Sequence, residues 1–262
     1  MKKTCFDDLK TFSIATLGCK VNTYESNIIQ NELLSFGLLK VPFDHPADIT
    51  IINTCSVTNT ADSKSRNMIK RASAINPDTI VVVCGCYSQV ASNNLKQDYG
   101  IDILIGNKYK NNLIKLIDEY FQNANQQLVK IDNLLLEKDF ENSQVDIYTD
   151  KTRAFVKIQD GCNFMCSYCI IPFTRGKQRS KNFDLLLAEI KTLVNNNYKE
   201  IVLTGVNTAG YQHEDKNFYD LLVAISLLPG NFRVRISSLE PFQINDEIIA
   251  LICNNPNRFA QH

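Results

Sequence analysis

Three cysteines are the residues of this sequence best suited to chemistry. Cys162, Cys166 and Cys169 stand at C-x3-C-x2-C spacing, directly after a strand-like run at 155–158. Three thiolates on one short loop can bind three irons of a four-iron, four-sulfur cluster, which leaves the fourth iron open to a small ligand. A structural zinc site would need a fourth Cys or His nearby, and the next His is His213. The incomplete ligand set favours a catalytic iron–sulfur cluster.

A second set of cysteines is spread over the first third of the chain. Cys19, Cys55 and Cys86 each follow the end of a predicted strand, in the loop that leads to a helix. The carboxyl ends of parallel strands meet at one edge of a sheet, where open α/β folds bind ligands. The three thiols could ligate a second cluster there, or they could be small buried residues. Of Cys84 and Cys86, the second is the better ligand because Cys84 falls within the strand.

Composition is that of a globular protein with room for two domains. The 262 residues are 44% hydrophobic and 21% charged, and the formal net charge is +0, which argues against a nucleic-acid surface over the whole chain. Cations are nevertheless concentrated around the C-x3-C-x2-C loop. Against Asp160 stand Lys151, Arg153, Lys157, Arg175, Lys177, Arg179 and Lys181. This local excess could bind phosphates or a carboxylate, or it could be a solvated face.

The cysteine content and the lack of long apolar runs predict the compartment. The chain has nine cysteines, shows no signal peptide, and has no run near the ~20 apolar residues of a membrane span. We therefore expect a cytoplasmic protein without membrane contact, in which clustered cysteines serve metal binding or catalysis rather than disulfides.

The elements that would position the cysteines form two α/β regions. Alternating strands and helices in the first region predict an open parallel sheet flanked by helices, within a domain at 1–122. Its strands are expected at 13–17, 48–53, 80–84 and 101–105, and its helices at 22–36, 61–75 and 111–122. The polar stretch 123–150 is expected to be a linker, with one short strand near 128–131.

The second region, 151–262, is expected to form a smaller α/β domain. Strands are predicted at 155–158, 201–204 and 232–237, and helices at 182–194, 218–228 and 245–253. Three strands make a thin open sheet with an exposed edge. The sequence therefore predicts either a small domain or a fragment.

Taken together, the motifs resemble those of the radical S-adenosylmethionine (SAM) methylthiotransferases. No single motif is specific, but their order along the whole chain is. They comprise Gly18-Cys19-Lys20-Val21-Asn22 with Glu25-Ser26, the segments 53–57 and 85–89, the cysteine loop 159–169, and the segments 171–176, 203–207 and 235–241. The resemblance implies that the second region is an incomplete radical SAM half-barrel of β/α units, and that the small RNA-binding domain which usually follows is absent.

The resemblance also implies an activity and its cofactors. Members use SAM and two [4Fe-4S] clusters, here on Cys162, Cys166 and Cys169 and on the set Cys19, Cys55 and Cys86. One SAM methylates sulfur and a second supplies a 5′-deoxyadenosyl radical. Gly-Cys-Lys-Val-Asn is similar to the branch that adds a methylthio group to carbon 2 of N6-threonylcarbamoyladenosine beside the anticodon of tRNA. The implied partners are tRNA and a low-potential electron donor such as a flavodoxin or ferredoxin, whereas the oligomeric state is not indicated.

Further site residues follow from the same resemblance. SAM contacts are expected at Tyr168, Thr204, Gly205, Asn207, Ser237 and Glu240, with Ser238 beside them. Contacts with RNA phosphates or with the threonyl carboxylate are expected at Arg175, Lys177 and Arg179.

Four alternatives remain open. The chain could act in the isopentenyladenosine-tRNA branch or in the branch that modifies a ribosomal-protein aspartate. It could also be a non-catalytic iron–sulfur protein or an inactive fragment.

Overall fold

The computed structural model of the chain describes residues 5–98, 100–148 and 152–260. These residues form two compact units. The first contains the chain up to Leu134 together with Ser167–Arg175, and the second contains Leu135–Cys166 and the chain from Gly176 onward. Lys151, one of the cations expected near the cysteine loop, lies outside the described residues. The domain boundaries at 122 and 151 stay a prediction.

The first unit is built on a parallel sheet of six strands, which confirms the expected fold class. Its order is β2-β1-β3-β4-β5-β6. The two central strands are fully buried along their length, as expected of a parallel sheet covered on both faces. The strands are β1 Thr11–Thr16, β2 Leu39–Lys40, β3 Ile49–Thr54, β4 Ile80–Gly85, β5 Ile103–Ile105 and β6 Leu128–Lys130.

Helices cover both faces of this sheet. They are α1 Lys20–Ser35, α2 Asn59–Ile75, α3 Cys86–Asp98 and α4 Leu113–Gln122. Side chains from α1 and α4, such as Leu33 and Ile117, share one apolar cluster, whereas Ile69 of α2 and Leu95 of α3 belong to another. The sheet is therefore sandwiched between α1 and α4 on one side and α2 and α3 on the other.

The bounds of helix α3 were not predicted from the sequence. It begins at Cys86, directly after β4, and its backbone leaves the helical region at Ala91 (φ −109°, ψ 18°). Its sequence is largely polar and lacks the sustained 3.6-residue apolar period that marks a helix. The last cysteine of the first set therefore begins the helix itself, where we had expected it in the loop that leads to a helix.

The second unit contains a parallel sheet of three strands in the order β13-β10-β7. Val234 also forms a parallel bridge with Phe259, so backbone pairing continues beyond β13. The elements after the first unit's strands and helices are β7 Ala154–Lys157, β8 Gln159–Asp160, α5 Ile171–Arg175, β9 Arg179–Ser180, α6 Phe183–Asn195, β10 Glu200–Thr204, β11 Gln212–His213, β12 Lys216–Asn217, α7 Phe218–Ser226, β13 Arg233–Ile236 and α8 Asp246–Asn254. Of these, α5 belongs to the first unit.

Part of the expected linker is fixed to the second unit. Residues 137–148 have no regular secondary structure, yet the backbone N–H of Val145 donates to Glu189 Oε1 (2.9 Å). Lys181 bonds both Glu189 Oε2 (2.6 Å) and the carbonyl of Ser143 (2.6 Å), with both charged side chains fully buried. Such bonds hold the segment against α6. The hydrophobic periodicity of the sequence does not reveal them.

Candidate metal centres

Cys19, Cys55 and Cys86 follow the carboxyl ends of β1, β3 and β4. Cys19 caps α1, Cys55 comes directly after β3, and Cys86 begins α3. The sheet order 2-1-3 reverses between β1 and β3, which is the position where ligands bind in open α/β folds. The three cysteines thus lie at one edge of the first unit's sheet.

Electrostatic interactions indicate that these three thiols are neighbours. Burial is the largest cause of a raised pKa at Cys55; a backbone hydrogen bond from Val57 lowers that pKa, and Cys86 and Cys19 raise it further. A thiolate raises the pKa of another only when the two are close. The thiols of Cys19 and Cys86 are therefore close enough to Cys55 to influence its pKa.

Asn22 and Thr54 tie the three cysteine loops together. The Asn22 side chain donates to the carbonyls of Leu17 (2.7 Å) and Thr54 (2.9 Å), which precede the first and second loops. The Thr54 hydroxyl donates to the carbonyl of Cys84 and accepts from the backbone N–H of Ser88 (3.3 Å), on either side of the third loop. Buried polar atoms are thereby satisfied and the loops are fixed in register.

Two glycines allow these loops to approach one another. Gly18 has φ +93°, and a Cβ there would lie 2.7 Å from Cys55 Sγ. Gly85 has φ +103°, and a Cβ there would lie 2.4 Å from the carbonyl oxygen of Thr54. Both positions combine a left-handed backbone with no space for a side chain, so glycine is required.

The structure separates Cys86 from Cys84. Cys84 is fully buried in the apolar core, and burial raises the pKa of its thiol to about 12. Cys86 lies at the strand end, 3.9 Å from the side-chain nitrogen of Asn107. This supports Cys86 as the ligand of the pair, because a metal ligand must be a thiolate.

The donor set fits a cluster better than a single ion. Among the described residues, no three His, Cys, Asp or Glu side chains are close enough to bind one metal ion. Thiolates that ligate an iron–sulfur cluster bind different irons, so they need not converge on one point. Three neighbouring thiols are suited to such a cluster.

Beside these loops lies a network of buried charges. Arg175 Nη1 bonds Glu25 Oε1 (2.8 Å), and its Nη2 bonds Glu25 Oε2 (3.2 Å) and Asn22 Oδ1 (2.6 Å). Lys110 also forms an ion pair with Glu25, and the carbonyl of Thr174 accepts from Asn107 Nδ2 (2.7 Å). Asn22 thus connects Arg175 to the first two cysteine loops.

This network corrects the role expected for Arg175. Its side chain is 1% exposed and is engaged by Glu25, so it is not available to RNA phosphates or to a threonyl carboxylate. Arg175 instead anchors the segment Ser167–Arg175, which contains Cys169, within the first unit.

Only part of the cation excess around the cysteine loop is exposed to solvent. Lys157 is 2% exposed and pairs with Asp160 (3.2 Å) and Glu141 (3.5 Å), and Lys181 is buried against Glu189. Lys177 is exposed and Arg179 is half-buried. Three of the seven cations, Arg175, Lys157 and Lys181, therefore belong to buried ion pairs. A count of charges in the sequence cannot distinguish such pairs from a surface patch.

The start of the C-x3-C-x2-C loop is packed closely within the second unit. Gly161 has φ +71°, and a Cβ there would lie 2.1 Å from the carbonyl oxygen of Lys177. Cys162 N–H donates to the carbonyl of Gly176 (3.1 Å). Cys162 is half-buried and Cys166 is exposed. Cys169, also half-buried, belongs to the first unit.

The expected SAM residues after β10 include an unusual buried amide. Thr204 ends β10, and a Cβ on Gly205 would lie 2.9 Å from Gln159 Oε1. Asn207 is 2% exposed, and neither its side-chain nitrogen nor its oxygen has a hydrogen-bond partner among the described residues. A buried amide without partners is costly unless a ligand satisfies it. This arrangement fits a polar ligand such as the SAM amino-acid moiety.

The other expected SAM residues differ in their surroundings. Ser237 follows β13, and its hydroxyl donates to the carbonyl of Leu203 in β10 (2.9 Å). Glu240 is exposed, and Ser238 has φ +57°. Tyr168 belongs to the first unit and is 90% exposed. Ser237 and Glu240 thus follow a strand that neighbours β10. The high exposure of the Tyr168 side chain means that packing within the loop does not explain its position.

Several positioning residues were missed by the sequence analysis. Gln159 donates to the carbonyl of Gly161 (2.6 Å) and accepts from the backbone N–H of Asn207 (2.8 Å), which links the cysteine loop to the loop after β10. Asn22, Glu25 and Gln159 lie in the recognised motifs, but Lys110 carried no signal at all. Only the three-dimensional contacts assign them a role.

Two family models match the chain. Residues 11–106 match the family described as Uncharacterized protein family UPF0004, and residues 156–260 match the Radical SAM superfamily. The first match contains Cys19, Cys55 and Cys86, and the second contains Cys162, Cys166 and Cys169.

Similar curated proteins carry both regions. The chain is 40% identical over 247 residues to threonylcarbamoyladenosine tRNA methylthiotransferase MtaB of Bacillus subtilis (strain 168), covering 93% of this chain and 54% of that protein. It is 34% identical over 248 residues to the protein of the same name from Aquifex aeolicus (strain VF5), covering 94% and 60%. The chain therefore spans little more than half the length of the curated relatives it matches.

A solved structure shows a similar fold. The radical S-adenosylmethionine methyltransferase TsrM from Kitasatospora setae aligns with a TM-score of 0.62 and 12% identity, over 96% of this chain and 58% of that one. At this identity the likeness concerns the fold alone. Within the described part of this chain, no helix has the length and apolar character needed to cross a membrane.

Proposed function

The chain belongs to the radical SAM methylthiotransferases, and from this premise we propose that it adds a methylthio group to carbon 2 of N6-threonylcarbamoyladenosine in tRNA. The relatives at 40% and 34% identity are both named for threonylcarbamoyladenosine tRNA. The Gly18–Asn22 sequence, similar to that branch, supports the same substrate. The chain would perform this reaction with two [4Fe-4S] clusters and SAM.

The observation that supports the proposal is the position of Cys19, Cys55 and Cys86 after the carboxyl ends of the parallel strands β1, β3 and β4. A radical SAM enzyme needs only one cluster to cleave SAM, so a second set of three thiols indicates a second chemical function. Sulfur transfer is such a function, because a cluster held by three thiolates keeps one iron open for an added sulfur ligand.

The protein residues would hold and orient these groups. Cys162, Cys166 and Cys169 would bind the cluster that, when present, supplies the electron for SAM cleavage. Asn207, with Thr204 and Gly205, would bind the polar end of SAM. Ser237 and Glu240 would lie near its ribose, and Tyr168 would pack on its adenine. The network of Arg175, Glu25 and Lys110 would hold the segment that carries Cys169.

The proposed substrate defines the partners. An adenine in a stacked anticodon loop must leave its stack to reach an active site, so tRNA would bind over the cysteine loops. The proposed electron donor is a low-potential protein such as a flavodoxin or ferredoxin, and the proposed location is the cytoplasm. Lys177 and Arg179 remain proposed RNA contacts.

Mass spectrometry of tRNA nucleosides tests the substrate. A strain that lacks the gene should lose 2-methylthio-N6-threonylcarbamoyladenosine and accumulate the unmodified nucleoside. Re-expression of the wild-type gene should restore it, and re-expression with Cys55→Ala should not. An unchanged nucleoside in the deletion strain would contradict the proposal, and loss of the isopentenyladenosine derivative or of ribosomal-protein methylthioaspartate would indicate one of the other branches.

A separate assay distinguishes an enzyme from a non-catalytic iron–sulfur protein. After anaerobic reconstitution and reduction, the protein should convert SAM into 5′-deoxyadenosine and methionine. Asn207→Ala should raise the SAM concentration required, whereas Asn255→Ala, in a loop of the same unit, should not. A fully loaded protein without any SAM turnover would favour an electron carrier.

A further inference from the structure

Helix α2 has an exposed face whose charges all have one sign. Its exposed positions carry Asn59, Thr60, Ser63, Lys64, Asn67, Lys70, Arg71 and Ala74. Across the whole helix, four cationic side chains stand against the single carboxylate of Asp62, which gives a net charge of +3 in a chain whose formal net charge is zero. Such a concentration of positive charge on one helix needs an explanation beyond solubility.

On this face, cationic side chains border a central strip of small polar residues. The helix buries Ser65, Ile69 and Ala72, so at 3.6 residues per turn the small polar residues Thr60, Ser63 and Asn67 occupy the middle of the opposite side. Lys64 and Arg71, seven residues apart, lie along one edge of that side, and Lys70 lies along the other. We call Thr60, Ser63, Lys64, Asn67, Lys70 and Arg71 the α2 surface.

The α2 surface begins beside the candidate metal centre. Ser65, next to Lys64, donates its hydroxyl to the carbonyl of Cys55 (3.0 Å) and accepts from the Cys55 N–H (3.3 Å). Arg66 donates to the hydroxyl of Tyr87 (2.9 Å), the residue after Cys86. The same helix therefore contacts two cysteine loops and exposes Lys64 to solvent one residue away from Ser65.

We infer that the α2 surface binds the phosphate backbone of the RNA substrate, an inference that rests on the proposed function. Lysine and arginine neutralise phosphates, and hydroxyl and amide groups between them donate to phosphate oxygens. No large apolar side chain is exposed on this face, which disfavours a protein partner because protein interfaces need an apolar core. The burial of Arg175 removes one expected RNA contact, and the α2 surface supplies three exposed cations in its place.

Binding of fluorescently labelled, threonylcarbamoylated tRNA to the iron-loaded protein tests the inference. The variant Lys64→Gln, Lys70→Gln, Arg71→Gln should bind this tRNA roughly tenfold to a hundredfold more weakly near 0.1 M salt. Its plot of log affinity against log salt should be shallower by about two units, since each lost phosphate contact removes roughly 0.7 to 0.9. Folding and iron content should be unchanged because the three side chains are exposed.

A matched variant controls for net charge. Lys115→Gln, Lys191→Gln, Lys199→Gln removes three exposed cations from other elements and should leave the affinity within about twofold of the wild-type value. Equal losses in both variants, or unchanged tRNA affinity in the α2 variant, would overturn the inference; the second result is also the one expected if the face docked an acidic protein. A wild-type protein that binds no tRNA would contradict the proposed tRNA substrate as well. A loss of tRNA affinity confined to the α2 variant would support this surface whichever base is modified.

Discussion

Gly18 shows how one residue can decide whether the first set of thiols assembles. Gly18→Ala would place a methyl group 2.7 Å from Cys55 Sγ at φ +93°, so Cys55 must move. We expect this variant to lose the iron bound by the first set after anaerobic reconstitution. Gly37→Ala is the control, because Gly37 has φ +86° but no atom within 4 Å of the added Cβ. It should cost about 1 kcal/mol of stability and keep its iron; equal iron loss in both would show that backbone strain alone is responsible.

Glu32 gives a pH dependence that is independent of the metal centres. Burial raises the pKa of this carboxyl from 4.5 to about 7, and Oε2 is buried with no hydrogen-bond partner among the described residues. The folded state therefore retains a proton that the unfolded state releases between pH 4.5 and about 7. The stability that this proton contributes is complete below pH 4.5 and is lost as the pH rises through 7.

Glu32→Gln should remove that loss. Above pH 7 we expect the variant to be more stable than the wild type by about 1 to 2 kcal/mol, after allowance for partial solvent screening. At pH 4 the two should be alike. Urea unfolding at several pH values measures this difference, and parallel stability profiles for the two proteins would refute the assignment.

At the scale of elements, a buried ion network holds α5 against α1. Glu25 is the shared carboxylate of Arg175 and Lys110, and the three side chains are at most 2% exposed. Removing one partner of a buried ion pair is costly because the remaining charge stays desolvated. The network thus fixes the segment that carries Cys169 within the first unit.

Glu25→Gln should therefore destabilise the protein by about 3 to 5 kcal/mol. The matched control is Glu119→Gln, which breaks the pair with Lys130 (2.8 Å), where the two side chains are 37% and 35% exposed; it should cost less than about 1 kcal/mol. Denaturant unfolding compares the two. A loss at Glu25 no larger than at Glu119 would mean that the network contributes little to the fold.

Strongly periodic or uniformly apolar elements could be predicted from the sequence, and others could not. The strand expected at 80–84 is β4, because five apolar residues in a row are typical of a central parallel strand. The bounds of helix α3 were missed because its sequence, CYSQVASNNLKQD, is largely polar and lacks a sustained 3.6-residue apolar period. The fixed position of residues 137–148 depends on the buried pair Lys181–Glu189, whose two members give no sign in the sequence that they meet.

The same distinction applies to the candidate site. Position after a strand was enough to predict that Cys19, Cys55 and Cys86 would lie at one sheet edge. Charge alone was not enough to place Arg175, since a buried cation and an exposed one have the same letter. Asn22 and Glu25 could be identified as the partners of Arg175 only from the folded structure.

For the whole molecule, the proposed reaction depends on two sets of three thiolates. Cys19, Cys55 and Cys86 serve the first cluster, and the C-x3-C-x2-C loop serves the second. Each set must bind its cluster through its own side chains. Removing one set should leave the other set loaded.

Iron and sulfide analysis after anaerobic reconstitution tests this most directly. The wild-type protein should bind about eight irons and about eight sulfides, as two four-iron clusters require. Cys19→Ala, Cys55→Ala, Cys86→Ala should bind about four of each, and so should Cys162→Ala, Cys166→Ala, Cys169→Ala. If the first of these variants kept the full wild-type iron and sulfide content, Cys19, Cys55 and Cys86 would not hold a cluster. The proposed sulfur transfer would then have no site.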